Sequence, residues 1–217
     1  GRRHPDLSGR YVIEACEASL RRLGMDYIDL YQCHAFDQFT PLEETALAME
    51  TLEKQGKVRA YGVSNFTVEQ LRAARRCGKF QTIQPYYNLL ERDIEKDLLP
   101  YCQLEHIGVL VYSPLLRGLL TGKFTGTETF TDLRANDDRF KGERFKALVA
   151  RVERLRPIAQ QKGCTVTQLA LAATIAHPAI HCAIVGIKSA DQIREAAVAV
   201  HVELDREEYH SVRRALA

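Results

Sequence analysis

The chain has 217 residues, 46% apolar and 27% charged, which describes a soluble globular protein long enough for one sizeable core. Its 30 Lys and Arg against 28 Asp and Glu leave a formal net charge of +2, with no basic run long enough to form a stripe, so nucleic acid is not an expected partner. No apolar stretch approaches the roughly twenty residues of a membrane span, and Gly1 to Arg10 carries no signal-peptide pattern, so no membrane contact and a cytoplasmic setting are expected.

In chain order, Ser8 caps a predicted helix through Arg22, in which Val12, Ile13, Cys16, Leu20 and Leu23 recur at helical spacing before Gly24 stops it. Tyr27 to Cys33 reads as a short strand ending at His34. Pro41 opens an amphipathic helix over Leu42 to Lys54, with Gly56 as its stop. Val58 to Ser64 reads as a strand that ends on two small polar side chains, Ser64 and Asn65, before a helix from about Thr67 to Arg76. Such a pair is ordinarily a simple cap, but it also places hydrogen-bonding groups at the carboxyl end of a strand, where parallel α/β folds bind ligands. Gln81 to Pro85 is a third strand, Asp93 to Gln103 a polar helix, and Gly108 to Tyr112 a fully apolar fourth strand.

A long segment, Ser113 to Phe145, then interrupts the rhythm, and a loop of that length in a compact domain is usually functional or disordered. Helices follow over Glu143 to Gln161 and from a Thr165 cap to about Ala176, then a fifth strand at Cys182 to Val185, a helix over Asp191 to Val200 and a last one over Asp205 to Leu216. The six cysteines lie scattered without a C-x-x-C pair and read as reduced core residues; no ligand spacing suggests a metal. Five strand-helix units fit the back half of a (β/α)8 barrel, a fold of about 250 residues when complete. An open flavodoxin-like sheet stays open on pattern alone, although neither a glycine-rich first turn nor a phosphate loop is present.

A series of motifs narrows the choice. Ala18-Ser19-Leu20-Arg21-Arg22-Leu23-Gly24, Asp26 to His34, Gly56-Lys57-Val58-Arg59, Gly62-Val63-Ser64-Asn65-Phe66, Gln84, Tyr87-Asn88-Leu89-Leu90, Tyr112-Ser113-Pro114-Leu115 and Leu120-Thr121-Gly122-Lys123 follow one another in an order and spacing that resembles the aldo-keto reductases, specifically the branch of bacterial reductases and potassium-channel β subunits. The resemblance covers nearly the whole chain. It implies an α/β (β/α)8 TIM barrel, a single domain over residues 1–217 that carries about the last five strand-helix units and lacks the N-terminal strands.

By that resemblance His34 matches the active-site histidine that hydrogen-bonds the substrate carbonyl, and Ser64, Asn65 and Gln84 match the residues holding the nicotinamide carboxamide, a group that needs both donors and acceptors. Tyr112 matches the aromatic residue that stacks on the nicotinamide ring. Ser113, Leu115, Arg117, Gly118 and Lys123 match the loop over the cofactor pyrophosphate, and Arg134 a basic residue near the same phosphates or the 2′-phosphate, with solvated surface charge as its plainer reading. Gly186, Lys188, Ser189, Gln192 and Glu195 match the adenosine site, Lys188, Ser189 and Gln192 facing a 2′-phosphate and Glu195 the adenine amino group; a helix N-terminus beside a lysine suits a phosphate dianion and favours NADPH over NADH.

Two departures stand out. Glu195-Ala196 replaces the family's usual Glu-Asn, which removes one adenine hydrogen bond. The family's catalytic tyrosine, lysine and aspartate lie on segments N-terminal to the first helix here, so no tyrosine of the chain matches the proton donor; the expectation is that the 217 residues are part of a full enzyme. The activity implied is NADPH-dependent reduction of aldehydes and ketones to alcohols by hydride transfer, on a small-molecule carbonyl substrate and with a homo-oligomer compatible. A cofactor-binding regulatory or interaction module with little turnover, and an inactive fragment, are the alternatives.

Overall fold

Helix α1 (Gly9–Leu23) starts where Ser8 Oγ accepts the Tyr11 amide and ends at Gly24 in the left-handed conformation. The computed structural model describes residues 4–217. They divide into two compact units: the first runs to Pro85 and resumes over Glu95–Leu110, and the second comprises Tyr86–Ile94 and Val111–Ala217.

In the first unit, strand β1 (Ile28–Cys33) pairs in parallel with β2 (Val58–Ser64), Cys33 opposite Val63. Strand β2 pairs with β3 (Thr82–Gln84), Ser64 opposite Gln84, and β3 pairs with the start of β4 (Gly108–Tyr112) through Thr82 and Gly108. The order is therefore β1-β2-β3-β4, each joined to the next by a helix-bearing crossover, as parallel pairing requires. Those helices are α2 (Leu42–Lys54), α3 (Val68–Cys77) and α4 (Leu98–Leu104). Helix α2 packs on α1, α3 and β2. Met49, Leu52, Tyr61, Val63, Leu71 and Ile83 are each no more than 1% exposed there, and burying a side chain of that size contributes about 1.5–3 kcal/mol. From Tyr61 to Ser64 strand β2 is buried at every position, as expected of a parallel strand covered on both faces.

The second unit is organised around α7 (Val166–Ile175), where eight residues including Leu169 to Thr174 are buried; a helix apolar all round belongs in a core. Against α7 pack α6 (Arg156–Lys162), α8 (Ala190–Val198), α9 (Arg206–Ala215), strand β5 (Cys182–Ile184) and the 3-10 turn Leu116–Thr121. Helix α5 (Gly142–Glu153) packs on the same 3-10 turn.

Several sequence-based boundaries shift. The single helix expected over Glu143 to Gln161 is two, α5 and α6, because Pro157 has no N–H to offer and its ring collides with the carbonyl four residues back, at Glu153. The polar helix expected from Asp93 begins as a 3-10 turn over Asp93–Glu95 and becomes α-helical only after Asp97, whose side chain accepts the Leu98 amide. The segment after Tyr112 is not a loose loop: it contains 3-10 turns at Leu116–Thr121, Leu133–Asn136 and Asp138–Phe140. The rings of Phe124, Phe130, Phe140 and Phe145 lie 5.3–6.3 Å from one another in a cluster that continues into the α5 and α7 core. Of the six free cysteines, Cys16, Cys33 and Cys102 are buried as expected, but Cys182 is exposed on β5.

Candidate functional site

The carboxyl ends of β1, β2 and β3 bring four of the expected residues together. His34 follows β1 and is exposed. Ser64 ends β2 at 4% exposure and donates through Oγ to the Gln84 carbonyl at 2.7 Å. Asn65 takes a left-handed φ of 59°, which asparagine tolerates better than most residues, and its own amide donates to the same Gln84 carbonyl. Its Nδ2 donates to the His34 carbonyl at 2.9 Å and to Ser64 Oγ at 3.1 Å. Gln84 donates through Nε2 to Gln32 Oε1 at 2.8 Å, while Gln32 Nε2 donates to Thr82 Oγ1 at 3.0 Å. The Gln84 Oε1 takes no part in these bonds.

This close approach of strands needs Gly62. A β-carbon there would sit 2.0 Å from Thr82 Oγ1 and 2.5 Å from the Thr82 carbonyl oxygen. The loop carrying His34 is fixed by Asp37, 4% exposed, which accepts from the Leu7 amide, the Phe39 amide and Thr40 Oγ1. Burial alone would raise the pKa of Asp37, but the hydrogen bonds from Thr40, Leu7 and Phe39 outweigh it and hold the carboxyl below its ordinary value.

In the second unit Tyr112 is half-buried, with its ring 5.4 Å from that of Tyr86, and burial raises its pKa. Ser113 (φ 59°), Leu116 (45°), Arg117 (53°) and Gly118 (92°) all have positive φ, a concentration of costly backbone that marks a functional segment more often than a connecting one. Leu115 closes the turn, its carbonyl accepting the Gly118 and Leu120 amides. Lys123 is exposed, with Nζ 5.1 Å from the Phe124 ring centre. Arg134 shares that ring at 5.7 Å, lies 4.3 Å over Phe130, and makes a two-point ion pair with Asp132 at 3.0 and 2.7 Å. Hydrogen bonds from the Arg134 side chain and backbone pull the Asp132 carboxyl down to about 2, with Lys188 adding to the fall. Lys188 therefore stands in the electrostatic reach of the Asp132–Arg134 pair.

Gly186 and Lys188 are exposed, and Ser189 caps α8 by accepting the Gln192 amide. Gln192 Oε1 accepts the Lys188 amide at 2.8 Å, and Glu195 accepts the Thr165 hydroxyl at 2.8 Å. Gln192 and Glu195 thus hold the turn and brace α8 against the start of α7. Residues that sequence reasoning did not single out are Gln32, Asp37, Asp132, Asp137 and Arg139. Gln32 lies in the Tyr-Gln-Cys-His run, and in the structure it stands opposite Gly62. Among the described residues no group of three or more His, Cys, Asp or Glu is arranged to hold a metal, and no helix is long and apolar enough to cross a membrane.

Comparison with known proteins gives a family model described as "Aldo/keto reductase family" that matches residues 1–217. The chain is 43% identical to the aldo-keto reductase YhdN of Bacillus subtilis, over 84% of the chain and 56% of that protein. It is 35% identical to the NADH-specific methylglyoxal reductase of Escherichia coli, over 93% of the chain and 63% of that protein. It thus spans less than two thirds of either relative's length. The structure of the glycerol dehydrogenase AKR11B4 from Gluconobacter oxydans superposes with a TM-score of 0.93 at 37% identity, covering 98% of this chain and 65% of that one.

Proposed function

The chain belongs to the aldo/keto reductase family, and from that premise we propose that it works as the cofactor- and carbonyl-binding part of an NADPH-dependent reductase of aldehydes and ketones. In this reading residues 1–217 are one barrel-type domain, carrying about the last five strand-helix units of a (β/α)8 fold. The observation that carries it is the convergence of His34, Ser64, Asn65 and Gln84 at the carboxyl ends of neighbouring parallel strands, the end at which barrel enzymes place their chemistry.

A nicotinamide dinucleotide supplies the hydride when bound. The residues fit its amide end: Gln84 Oε1 is an acceptor for the carboxamide N–H, and Ser64 and Asn65 bring a hydroxyl and an amide to the same strand ends. His34 donates a ring N–H to the substrate carbonyl oxygen and so fixes the carbonyl for attack, a contribution of positioning and charge stabilisation. Tyr112 offers a ring face. Ser113, Leu115, Arg117, Gly118 and Lys123 would hold the pyrophosphate, Lys188, Ser189 and Gln192 the 2′-phosphate, Arg134 either of these phosphate groups, and Glu195 the adenine amino group. We assign no residue of this chain to proton donation. The cationic pair Lys188 and Arg134 favours NADPH, although the Escherichia coli relative is described as NADH-specific.

The test uses the absence of tryptophan, which leaves nicotinamide fluorescence free of indole background. NADPH is titrated by fluorescence, and 4-nitrobenzaldehyde is then added. Saturable binding followed by oxidation supports the reductase. Binding without oxidation, in a polypeptide that also carries the relatives' remaining segments, identifies a cofactor-binding module, and no binding overturns the proposal.

A further inference from the structure

The positive-φ turn at Arg117 is tied to a chain of ion pairs, all of it within the second unit. Arg139 donates through Nε and Nη2 to the two oxygens of Asp137 at 2.8 and 2.6 Å. Its Nη1 donates to Glu91 Oε2 at 2.8 Å and to the Tyr86 hydroxyl at 2.7 Å, and Tyr86 itself donates to Glu91. Asp137 in turn lies 3.3 Å from Arg117 Nη1, and the same nitrogen donates to the Leu133 carbonyl at 3.0 Å. Both contacts use Nη1, so the Nε and Nη2 donors of the fork take no part in them.

Exposure along this chain is lowest in its middle and rises toward both ends. The side chains of Asp137 and Arg139 are 11% and 21% exposed, whereas those at the two ends, Glu91 and Arg117, are 34% and 42% exposed. Arg139 is engaged through all three of its guanidinium nitrogens, Nε and Nη2 on Asp137 and Nη1 on Glu91 and Tyr86. Arg117 ends at the surface on a backbone conformation that only its surroundings can maintain. At the Arg117 end the chain finishes on a guanidinium whose Nε and Nη2 are not used within it.

We propose that Arg139 is a positioning residue for a dinucleotide pyrophosphate: it fixes Asp137, and Asp137 holds the Arg117 guanidinium ready for a phosphate oxygen. The inference rests on the dinucleotide reading above and adds a residue that reading does not contain. Its physical basis is preorganisation, since ordering one long side chain before the ligand arrives is worth up to roughly tenfold in affinity. A bidentate guanidinium pair is also suited to holding one orientation.

The experiment is a double-mutant cycle on NADPH affinity at fixed ionic strength, using the full chain, Arg117→Ala, Arg139→Met and the double variant. Each single change is expected to weaken binding about tenfold, and the double change by about the same factor, because both remove one contact. A double effect of about a hundredfold, or an unchanged Arg139→Met protein, overturns the proposal. If Arg139→Met fails to fold, Tyr86→Phe, which removes a single anchor of Arg139, takes its place. Amide hydrogen exchange in the ligand-free protein separates the two readings. Faster exchange over residues 113–123 with α7 unchanged is expected, and unchanged exchange overturns the role of Arg139. A parent protein that binds no NADPH overturns the proposed function and the ligand assigned here, while the exchange result still decides whether Arg139 fixes the turn.

Discussion

The side-chain amide of Asn65 donates to the backbone carbonyl of His34 at 2.9 Å, so the loop after β1 is tied directly to the loop after β2. That bond joins the proposed carbonyl-orienting residue to the proposed carboxamide-binding one. The backbone of Asn65, at φ 59°, is what aims its side chain there.

Replacing Asn65 therefore separates two effects. Asn65→Gly keeps the left-handed backbone and loses only the hydrogen bonds, at about 1 kcal/mol. Asn65→Ala loses both and is expected to cost roughly a further 1–2 kcal/mol for the backbone alone. Urea unfolding of the two variants checks this, and an alanine variant as stable as the glycine one refutes the assignment of strain.

Gly62→Ala is expected to destabilise the chain by about 3 kcal/mol or more, since the new β-carbon meets both the side chain and the carbonyl of Thr82. Thr82→Ala added to it should restore little, because the carbonyl oxygen remains at 2.5 Å. Full recovery in the double variant would show that the strand backbones can separate there.

Asp37 sets a pH dependence. Its folded pKa lies below the ordinary carboxylate value, so it contributes stability that is present above about pH 4 and is lost as pH falls through the folded pKa. Asp37→Asn should be less stable than the parent by about 1–2 kcal/mol near neutrality, with the gap closing below pH 4. Urea midpoints of both proteins across that range provide the measurement; a constant gap would assign the effect to packing instead.

Within the phenylalanine cluster the costs should split by burial. Phe145, 2% exposed, is expected to cost about 3–5 kcal/mol as alanine, with a fall in melting temperature. Phe130, only partly buried, should cost much less in stability. Phe130→Ala removes the 4.3 Å platform beneath Arg134, so its clearer signature is weaker NADPH binding, read by fluorescence titration.

Lys188→Ala tests the choice of cofactor. It should weaken NADPH binding about tenfold, equivalent to about 1.4 kcal/mol, and leave NADH binding nearly unchanged. Equal losses for both would place Lys188 away from the 2′-phosphate.

Much of this architecture was readable from the sequence because its signals are local. Strands β1 to β4 each lie within two residues of their apolar runs, and Ser8, Thr67, Thr165 and Asp205 cap the helices that follow them as their side chains allow. The break at Pro157 was legible in principle, but the apolar periodicity on both sides masked it. The 3-10 turns after Tyr112 were not legible, since four phenylalanines at irregular spacing have no period to detect. Gln32 and Arg139 could not be assigned roles because their partners lie 52 and 48 residues away, at Gln84 and Glu91.

Helix α8 buries none of its residues, whereas neighbouring α7 buries eight of ten. The two must therefore differ in how much of the molecule has to open before their amides meet water. Exchange in α7 waits on collapse of the unit, while α8 can fray by itself at a small fraction of that free energy. A ligand that grips Lys188 and Ser189 would be paid for partly in the ordering of that helix, and slowed exchange confined to α8 would be its earliest footprint.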